Sequence, residues 1–202
     1  MKNELIELIK KNYKDLGAEQ VDELADKIYG LLPTKKRKLC DIKVGDTFKY
    51  AGYEFTKLAD EENSCYCLMS DTVFESEFGE TNDWAKSPIR KQLNEFDKDG
   101  NSKSIKGIKK SDLEEVSLNY YAYKIPNGRT ADFITCLSYE EYLVYDFPTV
   151  GKYTWLRSGF AYYAVSVYLL GSSVGGNVSS NTDYRYAVRP ALHFKKDLEI
   201  EV

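Results

Sequence analysis

The chain has 202 residues, 43% of them hydrophobic and 30% charged, with a formal net charge of −4. That length suits one large domain or one domain with an appendage, in an ordinary soluble globular composition. A mildly acidic balance with a single short basic cluster argues against a nucleic-acid partner, because phosphate neutralisation needs clustered Lys and Arg. No apolar run is long enough to insert in a bilayer, and Met1 to Leu5 carries no signal-peptide pattern, so a cytoplasmic or virion-associated location is expected.

From the N-terminus, Leu5, Ile6, Leu8, Ile9 and Tyr13, then Val21, Leu24, Ala25, Ile28 and Leu32, fall at helical spacing. Gly17 reads as the break and C-cap between two short helices. A helical hairpin over 1–33 is expected. Its single apolar stripe needs covering, by the main domain or by another copy in a homo-oligomer. Lys35-Lys36-Arg37-Lys38 reads as a solvated linker to a second domain, 34–202.

Ile42 to Tyr50 and Tyr53 to Leu58 alternate around Ala51-Gly52, the pattern of a β-hairpin. Ser64 to Ser70 reads as a further strand. There Cys65 and Cys67 would face the same side, too far apart for an easy disulfide. With Cys40 and Cys136 they read as buried free thiols. Trp84 to Phe96 reads as a helix with Ser87 as N-cap and Pro88 at the first helical position. Asp97 to Asn101 reads as a polar turn, because it lacks the ligand series of a calcium loop. Ser111 to Val116 suggests a short acidic helix, Asn119 to Ile125 a Tyr-rich strand or loop, and Phe133 to Leu137 a buried strand. Ser138 with Glu141 three residues on is a capping box.

The last third is predicted as short strands: Tyr153 to Leu156, Ala164 to Leu170, Gly176 to Ser180 and Ala187 to Phe194. His193, in that alternating run, reads as a satisfied strand histidine. Two residue sets interleave over about 155–192. Trp155 and Leu156 suit a core; Arg157 and Arg189 can clamp loops; Gly159 and Gly171 allow unusual backbone angles; Ala164, Val167, Val174 and Val178 suit packing under strands. Between them lie Phe160, Tyr162, Tyr163, Ser166, Tyr168, Leu169, Leu170, Ser172, Ser173, Ser179, Ser180, Asn181, Asp183, Tyr184 and Tyr186. Stiff aromatic area interspersed with small hydrogen-bonding residues is the composition of antibody combining loops. These residues are the candidate ligand-binding set.

The frame carries a resemblance. Trp155-Leu156-Arg157-Ser158-Gly159, the spaced Ala164, Val167 and Gly171, and Ala187-Val188-Arg189-Pro190-Ala191-Leu192 resemble the C-terminal signature of a bacterial and phage family. Upstream, Val44-Gly45-Asp46, Trp84, Ser87, Ile89, Arg90, Leu93-Asn94, Asp132-Phe133, Leu137-Ser138 and Glu140 match as well, so the resemblance covers roughly residues 40 to 195. Many members of that family are variable proteins of diversity-generating retroelements, and members without a retroelement share the frame. The family's C-type-lectin-like fold is related to that of the formylglycine-generating enzyme. The chain departs from the pattern at Thr154-Trp155, where an aromatic pair is usual, and at Ala187, where Gly is frequent.

The resemblance implies an α+β protein: a C-type-lectin-like domain of short strands with flanking helices, after the helical hairpin. It implies mutagenic reverse transcription that randomises adenine positions under the candidate set. The function implied is display of that surface to a protein or glycan ligand, with no cofactor and no catalysis. An alternative is a structural phage or surface component using the same surface for subunit contacts. An oxidase of the related fold would need paired cysteines in the C-terminal core, and no cysteine follows Cys136. A calcium-dependent lectin is disfavoured, since Asn181-Thr182-Asp183 supplies too few oxygens.

Overall fold

The computed structural model describes residues 2–31, 36–122, 125–145, 150–159, 166–170 and 178–201. The chain divides into two compact units, Met1–Lys35 and Lys36–Val202. In the first, α1 (Lys2–Asn12) and α2 (Ala18–Leu31) bury Ile9, Val21 and Ala25, with Leu5, Ile6, Leu16, Leu24 and Ile28 packed around them. Gly17 does not close α1, which ends at Asn12. Its N–H donates to Gln20 Oε1 at 3.0 Å and its carbonyl accepts from Val21 N, so Gly17 caps the start of α2. No helix of the described residues is long and apolar enough to cross a membrane.

The second unit is mostly strands. In chain order these are β1 (Lys36–Lys38), β2 (Thr47–Tyr50), β3 (Tyr53–Asp60), β4 (Ser64–Met69), β5 (Phe74–Ser76), β6 (Val116–Ala122), β7 (Ile125–Asp132), β8 (Ile134–Thr135), β9 (Thr154–Gly159), β10 (Ser166–Leu170), β11 (Val178–Asn181), β12 (Tyr186–Val188), β13 (Ala191–Lys195) and β14 (Glu199–Glu201). Its helices are α3 (Pro88–Leu93) and α4 (Tyr139–Val144). The described strands form a seven-stranded sheet ordered β1-β14-β2-β3-β4-β13-β8, a five-stranded sheet ordered β11-β10-β9-β12-β5, and the pair β6-β7. The class is therefore mixed α+β.

Local sequence explains several elements. The β2–β3 hairpin turns on Ala51 and Gly52, whose φ angles of 52° and 84° match the twist of a two-residue hairpin. Ser87 Oγ accepts from Ile89 N at 3.2 Å with Pro88 at the first position of α3. Ser138 and Glu141 close both arms of a capping box on α4. Asp97 Oδ1 accepts from the N–H groups of Asp99 and Asn101, making the predicted polar turn.

Other expectations change. Lys36–Lys38 is not a linker but an edge strand paired with Glu199–Glu201, where opposite charges meet and Lys36 Nζ lies 2.9 Å from Glu199 Oε2. The acidic helix at Ser111 shrinks to a 3-10 turn, Lys110–Asp112, because Val116 already enters β6. Ala187 to Phe194 is two strands, not one. Arg189-Pro190 interrupts it, and the chain passes there from the five-stranded to the seven-stranded sheet. Proline cannot donate to a ladder, so the crossing falls where pairing must break.

β4 is buried along its whole length. Cys65, Cys67 and Met69 join the main core with Phe55, Phe194, Trp84 and Trp155. Tyr66 and Leu68, on the opposite face, join a smaller cluster with Leu58, Leu137, Leu156 and Ala191. All four cysteines are free, and Cys40 is exposed rather than buried. Burial pushes the Cys65 thiol up to about 11 and the Cys136 thiol up to about 12, so neither is a thiolate at neutral pH.

Candidate functional site

The frame of the last third is built as one piece. β9 is central in its sheet and every residue of it is buried. Trp155 Nε1 donates to Ser76 O at 2.8 Å, tying β9 to the end of β5. Arg157 is 3% exposed; its guanidinium grips both oxygens of Glu141 and donates to the carbonyls of Cys136 (2.7 Å) and Asn119 (3.2 Å). Arg189 Nε donates to Met69 O at 2.7 Å, which fastens the crossing between sheets.

Gly159 acts through space rather than through φ. A Cβ there would lie 2.6 Å from Asn82 Nδ2 and 2.9 Å from Asn82 O, and its φ is not left-handed. The expected role in unusual backbone angles is thus corrected to a close approach of β9 to the buried Asn82. Gly159→Ala is expected to cost about 1–3 kcal/mol by overpacking. In a thermal melt that is a fall of about 2–4 °C per kcal/mol for a chain of this size.

The upstream residues of the resemblance also meet in one network. Asp132 accepts from Trp84 Nε1 (3.1 Å), Thr130 Oγ1 (2.6 Å) and Arg90 Nε (2.7 Å). Asn94 Oδ1 accepts from Phe133 N and Ile134 N, while its amide donates to Ile134 O at 2.7 Å. A fully buried carboxylate is tolerable because each of its oxygens is hydrogen-bonded.

The candidate set divides. Phe160, Tyr162, Tyr163, Ser172 and Ser173, with the frame positions Ala164, Gly171 and Val174, lie outside the described residues. Ser166, Tyr168, Leu169 and Leu170 fall in β10; Ser179, Ser180 and Asn181 fall in β11, the last strand of its sheet. The register pairs Ser166 with Asn181 and Tyr168 with Ser179, so these four positions share one face. Leu169 and Ser180 fall on the other face with Val167 and Val178, in register with the frame positions Trp155 and Gly159 of β9. The set is therefore not one continuous face.

At the end of β11 and just beyond it, Asn181, Asp183 and Tyr184 are exposed around the buried Thr182. Tyr186 is only half-buried, and its ring packs edge-on to Trp155 at 5.1 Å, so it belongs partly to the frame. It also contacts Tyr153 (6.1 Å) and Tyr184 (6.4 Å). Tyr153 is an addition to the sequence-derived set. It lies two residues ahead of Trp155, outside the segment 155–192, and only its position beside Tyr186 reveals it.

His193 is only half satisfied. Its Nδ1 lies 2.8 Å from Glu61 Oε2 and its ring stacks on Tyr66 at 4.4 Å, but Nε2 is buried without a hydrogen-bond partner among the described residues. Among the described residues no group of three or more His, Cys, Asp or Glu side chains is placed to hold a metal ion. No protein-family model, curated protein or solved structure matches the chain.

Proposed function

We propose that this chain is a ligand-binding, receptor-type protein, a variable protein of a diversity-generating retroelement. In this reading a C-type-lectin-like scaffold, preceded by a helical hairpin, presents a diversified surface to a protein or glycan and performs no catalysis. One observation carries it. Within a single short segment, Thr182, Ala187, Val188 and Arg189 are at most 3% exposed, whereas Asn181, Asp183 and Tyr184 face solvent. Substitution at such exposed positions leaves the frame contacts intact, which is what a randomised surface requires.

The surface recognises by shape and hydrogen bonding, with tyrosines as stiff anchors and serines as adaptable partners. The coding locus provides the test. A reverse-transcriptase gene and a near-copy repeat, differing from the coding sequence at adenines under residues 160–186, are expected beside it. A locus without either removes the diversification claim.

A further inference from the structure

The aromatic and charged groups beside β12 narrow the partner's chemistry. Tyr153, Tyr186 and Tyr184 form a ladder of edge-to-face rings rooted on the buried Trp155. Tyr153 and Tyr184 are 39% and 54% exposed. Such a patch of exposed rings marks an interaction surface. Next to Tyr184 in the chain, Asp183 lines a groove with Glu77, Glu80, Thr81 and Lys86. The chain after β5 forms its far wall, held there because Phe78 N and Gly79 N donate to Thr182 O.

The charges of this region do not cancel. Glu77, Glu80 and Asp183 have no ion-pair partner among the described residues, whereas Lys86 Nζ lies 3.5 Å from the nearly buried Asp83 Oδ2. Arg185 donates to Glu75 O at 2.7 Å, which directs its guanidinium along β5.

We propose that the tyrosine ladder and the adjoining carboxylates recognise a cationic segment of a protein partner, one bearing Arg or Lys. A guanidinium or ammonium is attracted to ring faces and pairs with carboxylates, so both halves of the surface contribute to the same ligand. A neutral ligand would use the rings alone, and an anionic one would be repelled by the groove. This inference rests on the recognition role proposed above and adds the class of partner.

The test is calorimetric titration of the full chain with tetra-arginine, tetra-serine and tetra-glutamate peptides. Tetra-arginine is expected to bind, tetra-glutamate not to bind, and tetra-serine to bind at least about tenfold more weakly than tetra-arginine. Raising salt from about 0.05 M to about 0.5 M should weaken tetra-arginine binding, because the carboxylates are exposed to screening. The Glu77→Gln/Glu80→Gln/Asp183→Asn variant should lose about tenfold or more in affinity, and Tyr184→Ser should also weaken it. Lys86→Gln should tighten it.

Should the triple variant fail to fold, the opposite signs at Tyr184 and Lys86 still decide the matter. Absent tetra-arginine binding, equal binding of tetra-serine, or indifference to the carboxylate changes would overturn the proposal. A template repeat in the locus together with no tetra-arginine binding would remove the cationic partner and leave the recognition role standing.

Discussion

Arg157→Met is expected to lower the unfolding free energy by about 3–5 kcal/mol at neutral pH, the cost of breaking a buried ion pair on one side. Arg157 is at the centre of three elements, joining β9 to α4 through Glu141 and to the carbonyls of Cys136 and Asn119. Burial alone pushes the Glu141 carboxyl up, but the Arg157 guanidinium overcomes it and holds the group below the ordinary carboxylate range. A depressed folded-state pKa means stability that is full above the unfolded carboxylate pKa of about 4.3 and is lost as pH falls through the folded value. In the variant only the Ser138 N–H and the Tyr66 hydroxyl still oppose the burial penalty, so the Glu141 carboxyl is held down less and protonates at higher pH than beside Arg157. The gap between wild type and Arg157→Met should therefore be widest near neutrality and narrow on acidification. Urea unfolding at about pH 7 and about pH 4 measures it. Adding Glu141→Gln to Arg157→Met should recover part of the loss, since no buried charge is then left unpaired. A flat difference across pH would show that Arg157 acts mainly as packing.

Features written within a few residues of one another were legible in the sequence. Both central residues of the β2–β3 turn, the Ser87 cap, the Ser138 capping box and the shared face of Cys65 and Cys67 follow from local geometry. What was not legible depends on distant partners. Alternation from Ala187 to Phe194 reads as one strand because a period of two is blind to a change of sheet at Pro190. Lys57 shows no local sign of burial, yet its ammonium is fully enclosed, donating to Ile42 O at 2.7 Å and pairing with Asp60. His193 meets Glu61 from across the fold. Gly159 reads as a place for unusual backbone angles until Asn82 is seen against it. At the candidate site the burial of Trp155 and Leu156 and the clamping by Arg157 and Arg189 were legible, since large apolar side chains suit a core and a guanidinium can bind several carbonyls at once. The division of β10 and β11 between two faces was not, because it depends on pairing register.

The second large effect separates frame from surface directly. Trp155→Ala is expected to cost about 3–5 kcal/mol, since it empties a fully buried aromatic site in the main core and leaves Ser76 O without its donor. Trp155→Phe should keep most of that volume and lose chiefly the hydrogen bond, worth about 1 kcal/mol. Tyr184→Ser should stay within about 0.5 kcal/mol of wild type because its side chain is more exposed than buried. Tyr186→Ser should fall between the two, losing half-buried area and ring contacts of about 0.5–1.5 kcal/mol each with Trp155 and its neighbours. The expected order of melting temperatures is therefore Tyr184→Ser, then Tyr186→Ser, then Trp155→Ala as the lowest. A surface that accepts random replacement must be energetically decoupled from the core beneath it, and Tyr186, touching Tyr184 on one side and Trp155 on the other, is where that decoupling is least complete. If Tyr184→Ser destabilised as much as Trp155→Ala, the exposed tyrosines would be part of the fold, and the recognition role would lose the observation on which it stands.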